Sequence, residues 1–155
     1  MMGKCLVENK RGVSELPMQY IIAAIIAAIA ILLMGIYAQS LWREQEMNKA
    51  IEEVKKIVNQ AEKIYSVGDE GTKMEMDINL PNSVKRVVFG STNEKLANRY
   101  YILMEWGKNK SFFAEGVNFK GKDGEEAILY GGKERVVLEL FDEGGKKYVK
   151  IYSSE

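Results

Sequence analysis

The chain has 155 residues with 22 basic and 22 acidic side chains, a single cysteine and no histidine. These counts exclude a histidine acid–base catalyst, a zinc site built from cysteine and histidine, and an intrachain disulfide. The balanced charge gives no electrostatic footprint for nucleic acid. The length fits one domain with, at most, an appendage.

Charge is spread unevenly along the chain. Leu16 to Trp42 is a run of 27 residues without a charged side chain, whereas residues 43–155 hold 19 basic and 20 acidic residues. Because about 20 apolar residues in a helix span a bilayer core of about 30 Å, the run predicts a membrane-spanning helix. The alternative is that the run belongs to an ordinary secretory signal peptide that is cut after Ala38. Such a cut needs a small residue two positions before Ala38, and Ile36 is too bulky to serve there.

Alanines recur at regular intervals within the run. Ala23 and Ala27 are four residues apart, as are Ala24 and Ala28. Small residues at this spacing let two helix backbones approach closely in an apolar medium. Alanine is also simply a good helix former. The alternation of paired isoleucines with paired alanines indicates a small stripe beside a branched one, which favours helix–helix packing.

A short polar segment precedes the run. It ends in Lys10, Arg11 and Gly12, and the residues VSELP then lead directly into the apolar helix. This layout resembles the precursors of archaeal type IV pilin-like proteins, which carry a class III signal peptide. The resemblance implies that a prepilin peptidase cuts between Gly12 and Val13 on the cytoplasmic side and that the apolar segment is kept. The alternative is an uncleaved signal anchor whose basic pair is only a juxtamembrane flank.

Glu15 has two interpretations. Bacterial-type pilins usually carry a glutamate at the fifth mature position, where it meets the N-terminal amine of a neighbouring subunit. Here the cut would place Glu15 third and Pro17 fifth, so the resemblance implies a docking role from a shifted position. A carboxylate in a first helical turn is also favoured by the helix dipole, with Ser14 as the N-cap and the proline tolerated nearby. Both interpretations stay open.

The sequence becomes amphipathic after the run. Apolar residues recur at spacings of four, three, four, three and four, at Met47, Ile51, Val54, Val58, Ala61 and Tyr65. This pattern predicts that one helix continues from about Ser14 to Tyr65 and ends at the breakers Gly68 and Gly71. We expect residues 43–67 to pack their apolar face on the chain's own domain. A coiled-coil dimer is the alternative.

Residues 68–155 predict an antiparallel β domain. Apolar and polar residues alternate in seven segments, most of them separated by glycine-containing turns, at 73–80, 84–89, 100–106, 111–114, 127–130, 134–141 and 147–152. We expect an antiparallel meander with one face buried against the helix. The predicted fold class is therefore α+β, a long N-terminal helix on an antiparallel sheet, which is also the pilin architecture that the resemblance implies.

No catalytic or metal-binding constellation is recognisable in the sequence, and we expect neither an enzyme nor a cofactor. The lysine pairs at 108–110 and 120–122 lie near aromatic residues and could contact DNA. After removal of residues 1–12, however, 19 basic residues face 21 acidic ones, so nucleic acid is not an expected partner. Asn109 begins a glycosylation sequon in an expected turn, although such motifs also occur by chance.

The resemblance implies a structural subunit of a type IV pilus-like surface filament. Residues 1–12 would be the leader, 13–42 the transmembrane and filament-core helix, 43–67 its amphipathic continuation, and 68–155 the outer domain that carries any adhesion. The precursor would cross the membrane once with its N-terminus in the cytoplasm, and its partners would be the prepilin peptidase and other pilins. The alternative is an uncleaved, signal-anchored binding domain at the cell surface.

Overall fold

The computed structural model describes the backbone of residues 3–154 and the side chains of residues 17–154. Helix α1 spans Gly3–Val67 and is followed by eight strands, with a short 3-10 helix at Glu94–Leu96. The strands are β1 Lys73–Leu80, β2 Val84–Phe89, β3 Arg99–Met104, β4 Asn109–Phe113, β5 Phe119–Lys120, β6 Ala127–Leu129, β7 Gly132–Glu143 and β8 Lys146–Ser153. The predicted α+β class is confirmed.

The chain divides into two compact units, Met1–Arg43 and Glu44–Glu155. The second unit joins the later part of α1 to all eight strands. Helix α1 ends where the glycines predict: the Gly68 N–H donates to the Ile64 carbonyl at 2.7 Å, and Gly71 takes a φ of +88° that an L side chain rarely adopts.

The strands form two four-stranded sheets rather than the expected meander. Sheet A has the order β1-β7-β8-β5 and sheet B the order β4-β3-β2-β6. The pairing of β1 with β7 joins strands far apart in sequence, and the two-residue strand β5, which the sequence pattern did not indicate, runs parallel to β8. The meander was wrong because alternation fixes which face of a strand is buried but not which strand is its partner.

One hydrophobic core unites the helix with both sheets. The helix contributes seven buried side chains, Met47, Ala50, Val54, Ile57, Val58, Ala61 and Ile64, each at most 5% exposed. Strands of both sheets contribute residues to the same cluster, including Val87 and Ile102 from sheet B and Leu138 and Ile151 from sheet A. The expected packing of the helix on its own domain is confirmed. The amphipathic stripe is covered within the chain, which leaves no seam for the coiled-coil alternative.

Aromatic rings fill the part of this core that lies along sheet B. The Phe89 ring stacks on Tyr100 at a centroid distance of 5.8 Å and meets the edge of Phe119 at 5.4 Å. The Phe112 ring stacks on the other side of Tyr100 at 5.3 Å. Phe89 and Phe119 are fully buried, so their large apolar surfaces contribute strongly to the stability of this unit.

Candidate functional site

The strongest functional feature of the first unit is its apolar helical surface. We define the apolar segment as Met18–Trp42, whose large apolar side chains are between 43% and 72% exposed. Its mean hydropathy reaches 2.8 over an 18-residue window, none of which is buried. By length and composition this one helix can cross a membrane. The predicted membrane-spanning helix is confirmed at that level.

All four alanines of the predicted stripe lie on this exposed helical surface. Ala23 and Ala27 are one turn apart on one side of the stripe, and Ala24 and Ala28 are one turn apart beside them, because residues four apart on a helix are neighbours. A Cβ added at Gly35 would also meet nothing within 4 Å. Another helix could therefore approach the backbone closely along the alanine stripe.

The predicted processing and docking residues fall on the earlier part of the chain. The side chains of Lys10, Arg11, Val13 and Glu15, as well as Gly12, lie outside the residues whose side chains the structure describes. Their roles remain predictions. Helix α1 begins at Gly3 instead of Ser14, and Pro17 therefore lies inside the helix rather than in its first turn.

A second feature is a mixed-charge groove in the folded unit, where the helix faces the ends of β1 and β7. The groove has a volume of about 680 Å³, and its charged lining residues are Glu53, Lys56, Asp77, Lys133, Glu134 and Arg135. Most of these charges are paired: Lys56 donates to Glu53 at 2.6 Å and Arg135 donates to Asp77 at 2.9 Å. The first pair lies within α1 and the second within sheet A, so the groove is a largely neutralised surface.

Glu53 links the helix to the edge of sheet A. Its Oε2 accepts a hydrogen bond from the backbone N–H of Asn79 in β1 at 3.1 Å, while Oε1 accepts from Lys56. Burial raises the pKa of Glu53, but these two hydrogen bonds outweigh it and hold the pKa below its ordinary value. The carboxylate therefore occupies one backbone donor near the end of the open edge strand β1.

Glu134 is the groove residue that lacks a hydrogen-bond partner for a buried atom. In the register of β1 and β7 it lies opposite the buried Ile78, so it occupies the inner face of sheet A. Its Oε2 is buried and has no hydrogen-bond partner. Burial raises the pKa of Glu134, because the charged form loses hydration without gaining a partner.

Substitution of Glu134 by Gln should therefore stabilise the fold at neutral pH. Because the pKa of Glu134 is higher in the folded chain, its protonated form contributes its full stability only below the pKa in the unfolded chain, about 4.3. That contribution is lost as the pH rises through the folded-state pKa. Removing the charge should raise the unfolding free energy at pH 7 by no more than about 1 kcal/mol, because solvent screens the partly exposed carboxylate. Thermal unfolding of the full chain in detergent should show this gain shrinking toward pH 4. The exposed control Glu44→Gln should show no gain, and an equal gain at both pH values would contradict the explanation.

The other predicted positions are separated across the folded unit. Asn109 is exposed, as the sequon requires, but it is the first residue of β4 and not part of a turn. Lys110 is exposed on β4 of sheet B, whereas Lys120 and Lys122 lie over the rings of Tyr148 and Tyr152 beside sheet A, at 4.2 and 5.4 Å from the ring centroids. The two lysine clusters therefore do not form one basic surface.

No group of three histidine, cysteine, aspartate or glutamate side chains among residues 17–154 could hold a metal ion. The feature that the sequence analysis missed is the placement of Arg86 and Arg99 on one face of sheet B, which depends on strand register. No protein-family model matches the chain, and no curated protein or solved structure is significantly similar to it.

Proposed function

We propose that this chain is the precursor of a type IV pilus-like filament subunit, cut after Gly12 and assembled through the apolar segment. The observation that carries the proposal is the contrast between the two units. The second unit buries its own core, whereas the apolar segment keeps its large side chains exposed. So much exposed apolar surface needs lipid or other helices to cover it. In a filament subunit, lipid covers the apolar segment before assembly and the helices of other subunits cover it afterwards.

The alanine stripe supports packing of the apolar segment against the helices of other subunits. In lipid there is no hydrophobic driving force between helices, so association depends on close van der Waals packing of small residues. Ala23, Ala24, Ala27 and Ala28 provide such a surface beside bulky isoleucines. Packing between helices of different copies extends into a filament when the contacts are heterologous and do not close.

Pro17 also supports cleavage after Gly12. A proline inside a helix removes one backbone hydrogen bond and its ring crowds the preceding turn, which costs about 3 kcal/mol. In the uncut chain Pro17 lies inside α1. After the cut it is the fifth residue, near a helix start where proline is tolerated. Maturation would thus relieve a strain of the precursor helix.

The decisive experiment is N-terminal sequencing, with intact mass, of the protein recovered from its native cell envelope. A chain that begins at Val13, lighter by twelve residues, supports prepilin-type processing. A chain that keeps residues 1–12 rejects it and favours the uncleaved anchor. The mixed-charge groove of about 680 Å³ would then be the first place to seek a ligand of that surface domain.

Enlarging the alanine stripe should prevent assembly without preventing processing. In Ala24→Leu/Ala28→Leu the helix stays apolar, but the larger side chains keep neighbouring backbones apart. We expect normal cleavage and membrane insertion with a loss of sheared filaments. The control Ile25→Leu/Ile29→Leu changes side chains of the branched stripe at constant size and should assemble normally. Equal filament yield from both variants would reject packing through the alanines.

A further inference from the structure

The strands of sheet B have an unusual charge distribution. Strands β2, β3, β4 and β6 carry four basic residues, Lys85, Arg86, Arg99 and Lys110, and no acidic residue. After removal of residues 1–12, the rest of the chain holds 15 basic residues against 21 acidic ones. Sheet B therefore carries a net positive charge while the remainder of the chain is net acidic, which is the requirement for charge-complementary contact between copies.

The outer face of sheet B combines these arginines with exposed apolar side chains. We define this face by Arg86, Arg99, Tyr101, Leu103, Phe113 and Ile128, which alternate with the inward residues of their strands. Phe113 is 60% exposed and Ile128 is 43% exposed. Aromatic residues and arginine are enriched in the centres of protein interfaces.

A β-bulge places Arg86 on this face. The register of β2 and β3 shifts between Val84 and Arg86, so that Arg86 lies opposite the outward residue Leu103. If β2 alternated regularly from the buried Val84, Arg86 would share the inward face of Val84. The bulge therefore adds a second arginine to the face. Among the residues that the structure describes, Arg86 forms no ion pair.

Arg99 is held in a defined orientation. Its Nη2 donates to Ser111 Oγ at 3.1 Å, and its guanidinium carbon lies 5.4 Å from the centroid of the Tyr101 ring. A guanidinium has five N–H donors, so this arrangement leaves donors available for a carboxylate. A side chain that is already fixed loses little conformational entropy on binding.

The complementary surface is the acidic turn, defined as residues 121–126. Three carboxylates, Asp123, Glu125 and Glu126, outnumber the single lysine, Lys122, and none of the three forms an ion pair within the described part of the chain. The Gly121 N–H donates to the Glu125 carbonyl at 2.5 Å, and Gly124 takes a φ of +84°. The turn thus presents the exposed carboxylates of Asp123 and Glu125 from a hydrogen-bonded backbone.

We propose that the acidic turn of one copy docks on the outer face of sheet B of the next copy. This inference rests on the proposed filament function and specifies a contact between its outer domains. The turn and the face consist of different residues of the same copy, so the contact is heterologous and repeats from copy to copy. Carboxylates pair with Arg86 and Arg99, and the neighbouring chain covers the exposed apolar side chains.

Charge reversal tests the contact in the full chain, co-expressed with a prepilin peptidase in a host that assembles filaments. Arg86→Glu/Arg99→Glu and Asp123→Lys/Glu125→Lys should each lower the yield of sheared filament by about tenfold or more, because like charges would face each other. Combining all four substitutions should return the yield to within about twofold of the unsubstituted chain. Lys95→Glu/Lys108→Glu, at exposed positions outside the face, is the matched control and should leave the yield unchanged.

Three results would overturn the contact or the proposed function. Full assembly of either reversed variant overturns the contact, as does failure of the combined variant to recover while its thermal unfolding matches the unsubstituted chain. Failure to recover would also point to an anionic polymer as the occupant of the face, since such a ligand does not need the acidic turn. Absence of the form that begins at Val13 in the unsubstituted chain overturns the proposed function itself, and the contact with it.

Discussion

Replacing Gly12 by Val should abolish maturation. Under the proposed function the peptidase must accept the residue before the cut in an unhindered extended backbone, and the bulk of a valine side chain at that position obstructs the peptidase. Co-expression with a prepilin peptidase should give only the full-length precursor for Gly12→Val, and no filaments. The wild-type chain should give a form that lacks residues 1–12. Gel migration with intact mass measures both.

Gly12→Ala is the matched control for this prediction. Alanine adds only one methyl group to glycine, so Gly12→Ala should mature while Gly12→Val does not. Identical migration of the wild-type chain and Gly12→Val would contradict prepilin-type processing. In that case Lys10 and Arg11 would be only a membrane-flanking pair, and the uncleaved anchor would be the better explanation.

The second large effect is expected in the core of the folded unit. Phe89→Ala should lower the free energy of unfolding of this unit by about 3–5 kcal/mol, because it leaves a cavity between Tyr100 and Phe119 and removes two ring contacts. Denaturant unfolding of the full chain in detergent, followed by circular dichroism, measures the loss.

Phe113→Ala makes the same chemical change on the opposite face of sheet B. Phe113 is 60% exposed, whereas Phe89 is fully buried, so the exposed substitution should change the unfolding free energy by no more than about 0.5 kcal/mol. Equal effects of the two substitutions would contradict the assignment of inner and outer faces. Phe113→Ala also removes apolar surface from the proposed docking face, where its effect should appear in filament yield instead.

Much of the local structure could be predicted because it depends on short-range patterns. The alternation in 73–80 and in 84–89 gave the bounds of β1 and β2 as the structure has them. The helical stripe from Met47 to Tyr65 gave the buried or half-buried face of α1, and Gly68 gave its end. In each case the period of the apolar residues and a glycine were sufficient.

Strand partners could not be predicted in the same way. Lys73 pairs with Glu139, and β2 lies between β3 and β6, although nothing in the alternation of these segments distinguishes those partners from others. Partner choice depends on how the strands cover the helix and each other in one core. The strand β5 could not be predicted either, because two residues are too few to show a periodic pattern.

The apolar segment could be predicted from the sequence, whereas the outer face of sheet B could not. The sequence by itself determined the apolar segment with its alanine stripe, because an uncharged run of 27 residues has few alternatives to lipid or helix packing. Only the tertiary structure decided that Arg86 and Arg99 share a face with Tyr101. Their positions depend on a bulge and on the register of β2 and β3, and side-chain direction along a strand reverses with a shift of one residue.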